Sequence, residues 1–348
     1  MTAAATGPGG TRTEASPRDP AGDGRTQGRK ANEGTMGLTI GVDIGGTKIL
    51  AGVVDEDGTI LDRVKVPTPR DSAHTAVAIA EAALAVRKDY PVEAVGLGAA
   101  GFISSDRATV LFAPNVDWRH EPLKARVEER VGLPVVVEND ANAAAWGEAH
   151  FGAGGGRPNV VLYTIGTGVG GGIVLGGALF RGHFGIGAEF GHYRVKPDGR
   201  LCGCKQHGCL EQYASGSALT RYVKEHAAAD PERAQILLSF GDGTPEGIVG
   251  AHITEAARKG DPVALDGFAE IGGWLGQSMA DIASILDPEV FVVAGGVSDA
   301  GEILTAPARE RYHASLAGDG NRPFAEVVTA TLGPDAGLIG AADLARRL

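Results

Sequence analysis

Residues 38–54, LTIGVDIGGTKILAGVV, and residues 159–177, NVVLYTIGTGVGGGIVLGG, follow one plan. Each sets an apolar strand before a Gly-Thr turn that feeds a second strand. The repetition points to an internal duplication of one supersecondary unit. Two similar α/β halves would then face each other across a cleft. Outward from the first copy, 38–66 reads as three strands, with turns at Gly45-Gly46 and Asp57-Gly58. Residues 72–90 have helical periodicity, with Ser72 as the expected N-cap. A buried strand and loop at 94–101, a helix at 121–132, the strand PVVVEND (134–140) and a helix at 141–152 complete the first half. After the second copy come a long helical stretch (261–287), the strand EVFVVAGG (289–296), a helix, a strand (325–333) and a final helix (335–347). Strands alternating with helices mean a mainly parallel or mixed sheet in an α/β fold.

The chain has 348 residues, 43% of them hydrophobic, enough for a globular protein with a sizeable core. No apolar run approaches the ~20 residues of a membrane helix, so no membrane partner is expected. A net charge of −11 disfavours a nucleic-acid or anionic-membrane binder. It leaves anionic substrates open, since backbone N–H groups and a metal ion can hold them. Residues 1–35 lack hydrophobic periodicity and are expected to be a disordered tail. Met36 stands just before the first strand, so it is expected to be a natural start, or the tail to be dispensable. The tail has no apolar segment of the signal-peptide kind, and the cysteine count is odd, so a cytoplasmic protein is expected.

Three glycine turns stand at strand ends: DIGGTK (43–48), IGTGVGGG (165–172) and AGG (294–296). Glycines let backbone N–H groups reach phosphate oxygens with no Cβ in the way. One such turn is usually an ordinary hairpin; three together favour a nucleotide cradle. The candidate ATP-binding residues are Asp43, Gly45, Gly46, Thr47, Lys48, Gly166, Thr167, Gly168, Gly295 and Gly296. The Thr47 hydroxyl can donate, Lys48 can supply charge, and Asp43 can hold a water of hydrated Mg²⁺. The chain has no P-loop motif, and a strand follows GTGVGGG where a dinucleotide fingerprint needs a helix. The set resembles the phosphate-1, phosphate-2 and adenosine segments of the sugar kinase–actin–chaperone ATPase superfamily. That resemblance implies a two-lobed actin-like (ribonuclease H-like) fold with a cleft between lobes. The expected domains are 36–152 and 153–348, with the last helix packing back on the first.

All three cysteines, Cys202, Cys204 and Cys209, fall in one short loop after His192. Three thiols and an imidazole suffice for a tetrahedral Zn²⁺ site, closed and therefore structural. A reactive thiol or a transient disulfide would leave the histidine and the clustering unexplained. GAEFGHYRV (187–195) and LCGCKQHGCLEQYASG (201–216), with GVDIGGTK and IGTGVGGGIV, resemble the ROK family of repressors, open reading frames and sugar kinases. Within it the match is to the bacterial ATP-dependent glucokinase group, from about Met36 to the C-terminus. Lys205 departs from the glycine usual there.

Phosphorylating a sugar hydroxyl needs a base beside it and Mg²⁺ on the phosphates. Asp140, at the carboxyl end of a strand, is either that base or the N-cap of the helix from Ala141; the two roles are compatible. The resemblance implies the base, with Asn139 on a sugar hydroxyl and Glu189, His192 and Glu211 also contacting the sugar. By themselves those glutamates read as solvent-exposed charge. Gly101 and Asn115 are further sugar-site candidates from loops that follow strands. The resemblance thus implies ATP-dependent phosphorylation of glucose at its 6-hydroxyl in glycolysis, with ATP, Mg²⁺ and structural Zn²⁺, by a homodimer or homotetramer. A kinase for another hexose or an N-acetylated amino sugar, polyphosphate as donor, an inactive sugar-binding module and a ROK-type sugar-sensing regulator remain alternatives. Against the last, the 35 residues before the first strand show no amphipathic helical pattern, so no helix-turn-helix is expected in them.

Overall fold

A computed structural model describes residues 37–69, 71–113, 116–318 and 320–348. The disorder expected for 1–35, the Met36 start and the candidate Asn115 lie outside the described residues. The first half contains β1 (Thr39–Ile44), β2 (Lys48–Val54), β3 (Ile60–Pro67), α1 (Ser72–Arg87) and β4 (Ala94–Ala99). There follow β5 (Phe102–Ile103), β6 (Val110–Phe112), β7 (Arg119–Glu121), α2 (Leu123–Val131), β8 (Val135–Asn139) and α3 (Asp140–Phe151). The second half contains β9 (Val160–Ile165), β10 (Val169–Leu175), β11 (Ala178–Phe180), α4 (Glu211–Ala214), α5 (Gly216–Ala229), α6 (Gln235–Leu238) and α7 (Gly250–Arg258). It ends with α8 (Pro262–Leu286), β12 (Val290–Ala294), α9 (Glu302–Ser315), β13 (Glu326–Thr329) and α10 (Ala336–Arg346).

The two large sheets have one topology. Their strand orders are β3-β2-β1-β4-β8 and β11-β10-β9-β12-β13. In each, an antiparallel three-strand meander is extended by two parallel strands. The duplication seen in the sequence is therefore a duplication of whole sheets, and the turns 45–47 and 166–168 are equivalent points. This is the ribonuclease H-like unit, used twice.

Helices α3 and α10 join the copies. α3 leaves β8 of the first sheet yet packs on β9 and β10 of the second. α10 leaves the second sheet and packs on β1 and β4 of the first, and on α3. Glycine makes the close approach possible. A Cβ at Gly41 would stand 1.9 Å from the Leu338 carbonyl oxygen, and one at Gly96 1.8 Å from that of Ala341. α10 is further fixed by Asp343, buried beside Trp146 Nε1 (2.8 Å), Arg346 Nη1 (2.7 Å) and Arg347 Nε (2.8 Å).

Two local expectations are corrected. The N-cap of α1 is Asp71, whose carboxylate accepts the His74 amide at 3.0 Å, not Ser72. The cap of α3 is Asn139, whose Oδ1 accepts the Asn142 amide at 3.0 Å, so Asp140 is the first helical residue and not the cap. An asparagine carbonyl oxygen caps as well as a carboxylate does. Among the described residues no helix is long and apolar enough to cross a membrane.

Candidate active site

The strand β8 is buried Val-Val-Val-Glu, and it delivers Asn139 and Asp140 to the carboxyl edge of the first sheet. Capping occupies Asn139 at both ends: Oδ1 takes the Asn142 amide, and Nδ2 donates to the Gly101 carbonyl at 3.1 Å. Asp140 keeps one carboxylate oxygen on the Ala141 amide at 2.9 Å. Burial raises its pKa above the ordinary carboxylate range.

A cavity of about 770 Å³ opens in front of this edge. Gly101, Asn139, Asp140, Gly166, Gly168, Glu189, His192, Glu211 and Gly295 all line it, so it gathers every described sugar-site candidate and three of the candidate ATP-binding residues. Its chemistry is that of crowded acceptors. Burial, then Asp140 and Glu211, push the Glu189 carboxyl up to about 7. Burial, then Asp140, push Asp43 up to about 6, with Lys48 acting in the opposite sense. Glu211 approaches so closely that a Cβ at Gly168 would lie 2.2 Å from its Oε2. A site of this kind calls for neutral hydrogen-bond donors or a divalent cation.

The loop behind Glu189 and Glu211 brings four soft donors together. Single ligand atoms of His192, Cys202, Cys204 and Cys209 all lie within 4.8 Å of one another. Cys204 Sγ is 3.5 Å from Cys209 Sγ, and Cys202 Sγ is 3.7 Å from His192 Nδ1. A tetrahedral zinc with Zn–S of about 2.3 Å gives edges of about 3.7 Å, so the donor set fits that ion. The cysteines are free, and burial and the neighbouring thiols push Cys209 up to about 12, so the ionised cluster needs a cation. Lys205 adopts φ +69° in this loop and lines the 770 Å³ cavity.

A second cavity, of about 1300 Å³, meets the first at Gly166. Thr167 and Gly296 belong to it. The turn 166–168 is held from both sides: Gly166 O accepts the Gly216 amide at 2.8 Å, and Thr167 O accepts Ser217 Oγ at 2.7 Å. Gly295, at φ +88°, would put a Cβ 2.5 Å from the Ile165 carbonyl oxygen, a place only glycine fills. Arg221, Lys224 and Arg258 supply positive charge. Sequence reasoning missed these three, because they sit on α5 and α7 with no local motif. Asp43 is near enough to Asp140 to raise its own pKa through repulsion, whereas Gly45, Gly46 and Thr47 line neither cavity. Lys48 borders a separate depression of about 390 Å³ with Arg63 and Asp335.

The family model described as the ROK family matches residues 39–348. A glucokinase of Streptomyces coelicolor is 60% identical over 311 residues, covering 89% of this chain and 98% of that protein. A glucokinase of Thermotoga maritima is 39% identical over 308 residues, covering 88% and 96%. Among solved structures, a ROK family glucokinase from Streptomyces griseus, in complex with glucose and AMPPNP, superposes with a TM-score of 0.82. It is 60% identical, and the match covers 90% of this chain and 100% of that one.

Proposed function

The chain belongs to the ROK family, and from that premise we propose that it is an ATP-dependent kinase transferring the γ-phosphoryl group to the 6-hydroxyl of glucose. The observation that carries this is the cavity in which Asp140 meets Asn139, Glu189, His192 and Glu211 beside the glycine turn 166–168. A pyranose presents several neutral hydroxyl donors, and such a ligand relieves the mutual repulsion of these carboxylates. The 1300 Å³ cavity suits the nucleoside, with the phosphate chain running past Gly166–Gly168 and Gly295–Gly296 toward Asp140. The domains we propose are 36–152 and 153–348, with the 770 Å³ cavity lined by both and the 1300 Å³ cavity lined by the second alone.

In this reading Asp140 takes the proton from the attacking hydroxyl while the phosphoryl group passes to it. Ionised Asp140 is held for that task by the Ala141 amide. Its raised pKa makes it a stronger base than an exposed carboxylate. Glu189 and Glu211 accept hydrogen bonds from sugar hydroxyls and fix the ring, which excludes water from the space in front of Asp140. Asp43 has no hydrogen-bond donor on its carboxylate among the described residues, which suits a role in holding hydrated Mg²⁺; the ion supplies charge neutralisation on the phosphates. His192, Cys202, Cys204 and Cys209 would hold Zn²⁺, which supplies structural closure of the loop carrying Glu211. A cytoplasmic homodimer or homotetramer, active in glycolysis, completes the proposal.

The test is a panel of hexoses, each offered with ATP and Mg²⁺ and scored for sugar phosphate. Turnover on glucose well above that on mannose, fructose and N-acetylated amino sugars is expected. No turnover on glucose, or a clear preference for another sugar, would refute the reading.

A further inference from the structure

Directly before the catalytic pair stands a buried charge that the mechanism above does not use. The Glu138 side chain is 1% exposed. Its Oε1 accepts the Asn139 amide at 3.0 Å and Asn142 Nδ2 at 3.1 Å. Both partners belong to the cap that starts α3, so this carboxylate grips the backbone on which Asp140 is mounted. Its other oxygen faces two guanidinium groups: Oε2 is 2.8 Å from Arg181 Nε and 3.2 Å from Arg107 Nε.

The two arginines come from different halves. Arg107 lies in the β5–β6 turn at φ +57°, and its carbonyl accepts the Val137 amide at 3.0 Å, so it is local to β8. Arg181 immediately follows β11, at the edge of the second sheet. Its whole guanidinium is spent on the first half. Nη1 donates to Ser105 O at 2.9 Å, Nη2 donates to Ser104 O at 2.9 Å, and Nε faces Glu138. The following loop is pressed onto the same turn: Gly185, at φ +85°, would place a Cβ 2.6 Å from the Ile103 carbonyl oxygen. Gathering two like charges, the Arg181 one nearly buried, around one buried carboxylate is costly, and a fold needing only adhesion would do as well with apolar contacts.

We propose that Arg181 is a positioning residue for phosphoryl transfer, which straps the edge of the second sheet to Glu138 and thereby fixes Asn139 and Asp140 relative to the turn 166–168. This rests on the assignment of Asp140 as the base. Two parallel hydrogen bonds to Ser104 and Ser105, with the same cation held in ion-pair contact with Glu138 but not hydrogen-bonded to it, are what lysine cannot supply. Displacement of a reacting group by about 1 Å costs on the order of 100-fold in rate.

The experiment compares the full-length parent with Arg181→Lys and Arg181→Ala. For each, kcat, KM for glucose, thermal midpoint and bound metal are measured, with Asp140→Asn as a separate control on the base. Arg181→Lys is expected to keep its metal and fold, to change KM for glucose by less than about threefold, and to lower kcat by about 100-fold. Added guanidinium ion at low millimolar concentration is expected to raise kcat of Arg181→Ala and to leave the parent unchanged. An Arg181→Lys enzyme with parental kcat overturns the strap. So does a loss of kcat that only parallels a fall in thermal midpoint, with no rescue of Arg181→Ala. An active Asp140→Asn enzyme overturns the base assignment instead, and the strap with it.

Discussion

Asp43→Asn should stabilise the ligand-free protein while crippling its use of ATP. Burial and the Asp140 charge lift the Asp43 carboxyl from its ordinary 3.8 to about 6. Its folded pKa lies above its unfolded one, so the stability it allows is fully present below about pH 4. That stability is lost as pH rises through about 6. At about 1.4 kcal/mol per tenfold change in proton affinity, the ionised group opposes folding by about 3 kcal/mol at pH 7.5, and by about half that at pH 5. The amide removes the charge at nearly constant volume. Thermal melts of parent and variant, without nucleotide, should differ by about 2–4 °C per kcal/mol at pH 7.5, and by clearly less at pH 5. In the same preparation kcat/KM for MgATP should fall about 100-fold, and the protection that MgATP gives the parent against heat should be lost. A variant that is neutral or less stable at pH 7.5, or whose gain is equal at the two pH values, refutes the reasoning.

Asp140→Asn should lower kcat by about 10²–10⁴-fold with glucose affinity, read by calorimetry, nearly intact; an active variant removes the base. In the parent, kcat/KM should decline on the acid side at a pH above the ordinary carboxylate range, because the raised group must be ionised to act; a limb at or below that range contradicts the burial argument. Cys209→Ser should lose bound metal, as read by mass spectrometry, together with thermal stability and turnover; a metal-free protein of full activity defeats the structural-zinc reading. Asp343→Ala leaves Arg346, with a side chain 1% exposed, without its carboxylate and should cost about 3–5 kcal/mol in denaturant unfolding; a cost under about 1 kcal/mol contradicts it.

The repeated strand–turn–strand plan was legible because both copies obey local rules: alternate burial sets the strand, and a glycine turn sets the hairpin. The sheet order was not. It depends on α3 and α10 crossing to the opposite sheet, and the evidence for that crossing is glycine at Gly41 and Gly96, residues that read in sequence as weak strand positions. The small sheet β5-β6-β7, with strands of 2, 3 and 3 residues, carries too few residues for periodicity. The cysteine loop declared its donor set, since ligand type and clustering are written in the chain itself. Within PVVVEND the strand-end position marked Asp140 as a site candidate but left base and helix cap open, and the family resemblance chose between them. The neighbouring Glu138 could not, because its partner Arg181 is 43 residues away and no spacing rule joins them. Arg221, Lys224 and Arg258 were hidden for the same reason, being assembled only when α5 and α7 pack.

The central claim is that the carboxylate of Asp140 activates one particular hydroxyl of glucose in the space shared by the two halves. It is tested most directly by following ¹³C-glucose with ATP and Mg²⁺ by phosphorus and carbon NMR, for the parent and for Asp140→Asn. The account predicts glucose 6-phosphate as the single phosphorylated sugar from the parent and none from the variant. Phosphate on another carbon, ADP released with no sugar phosphate, or the same product from both enzymes would contradict it.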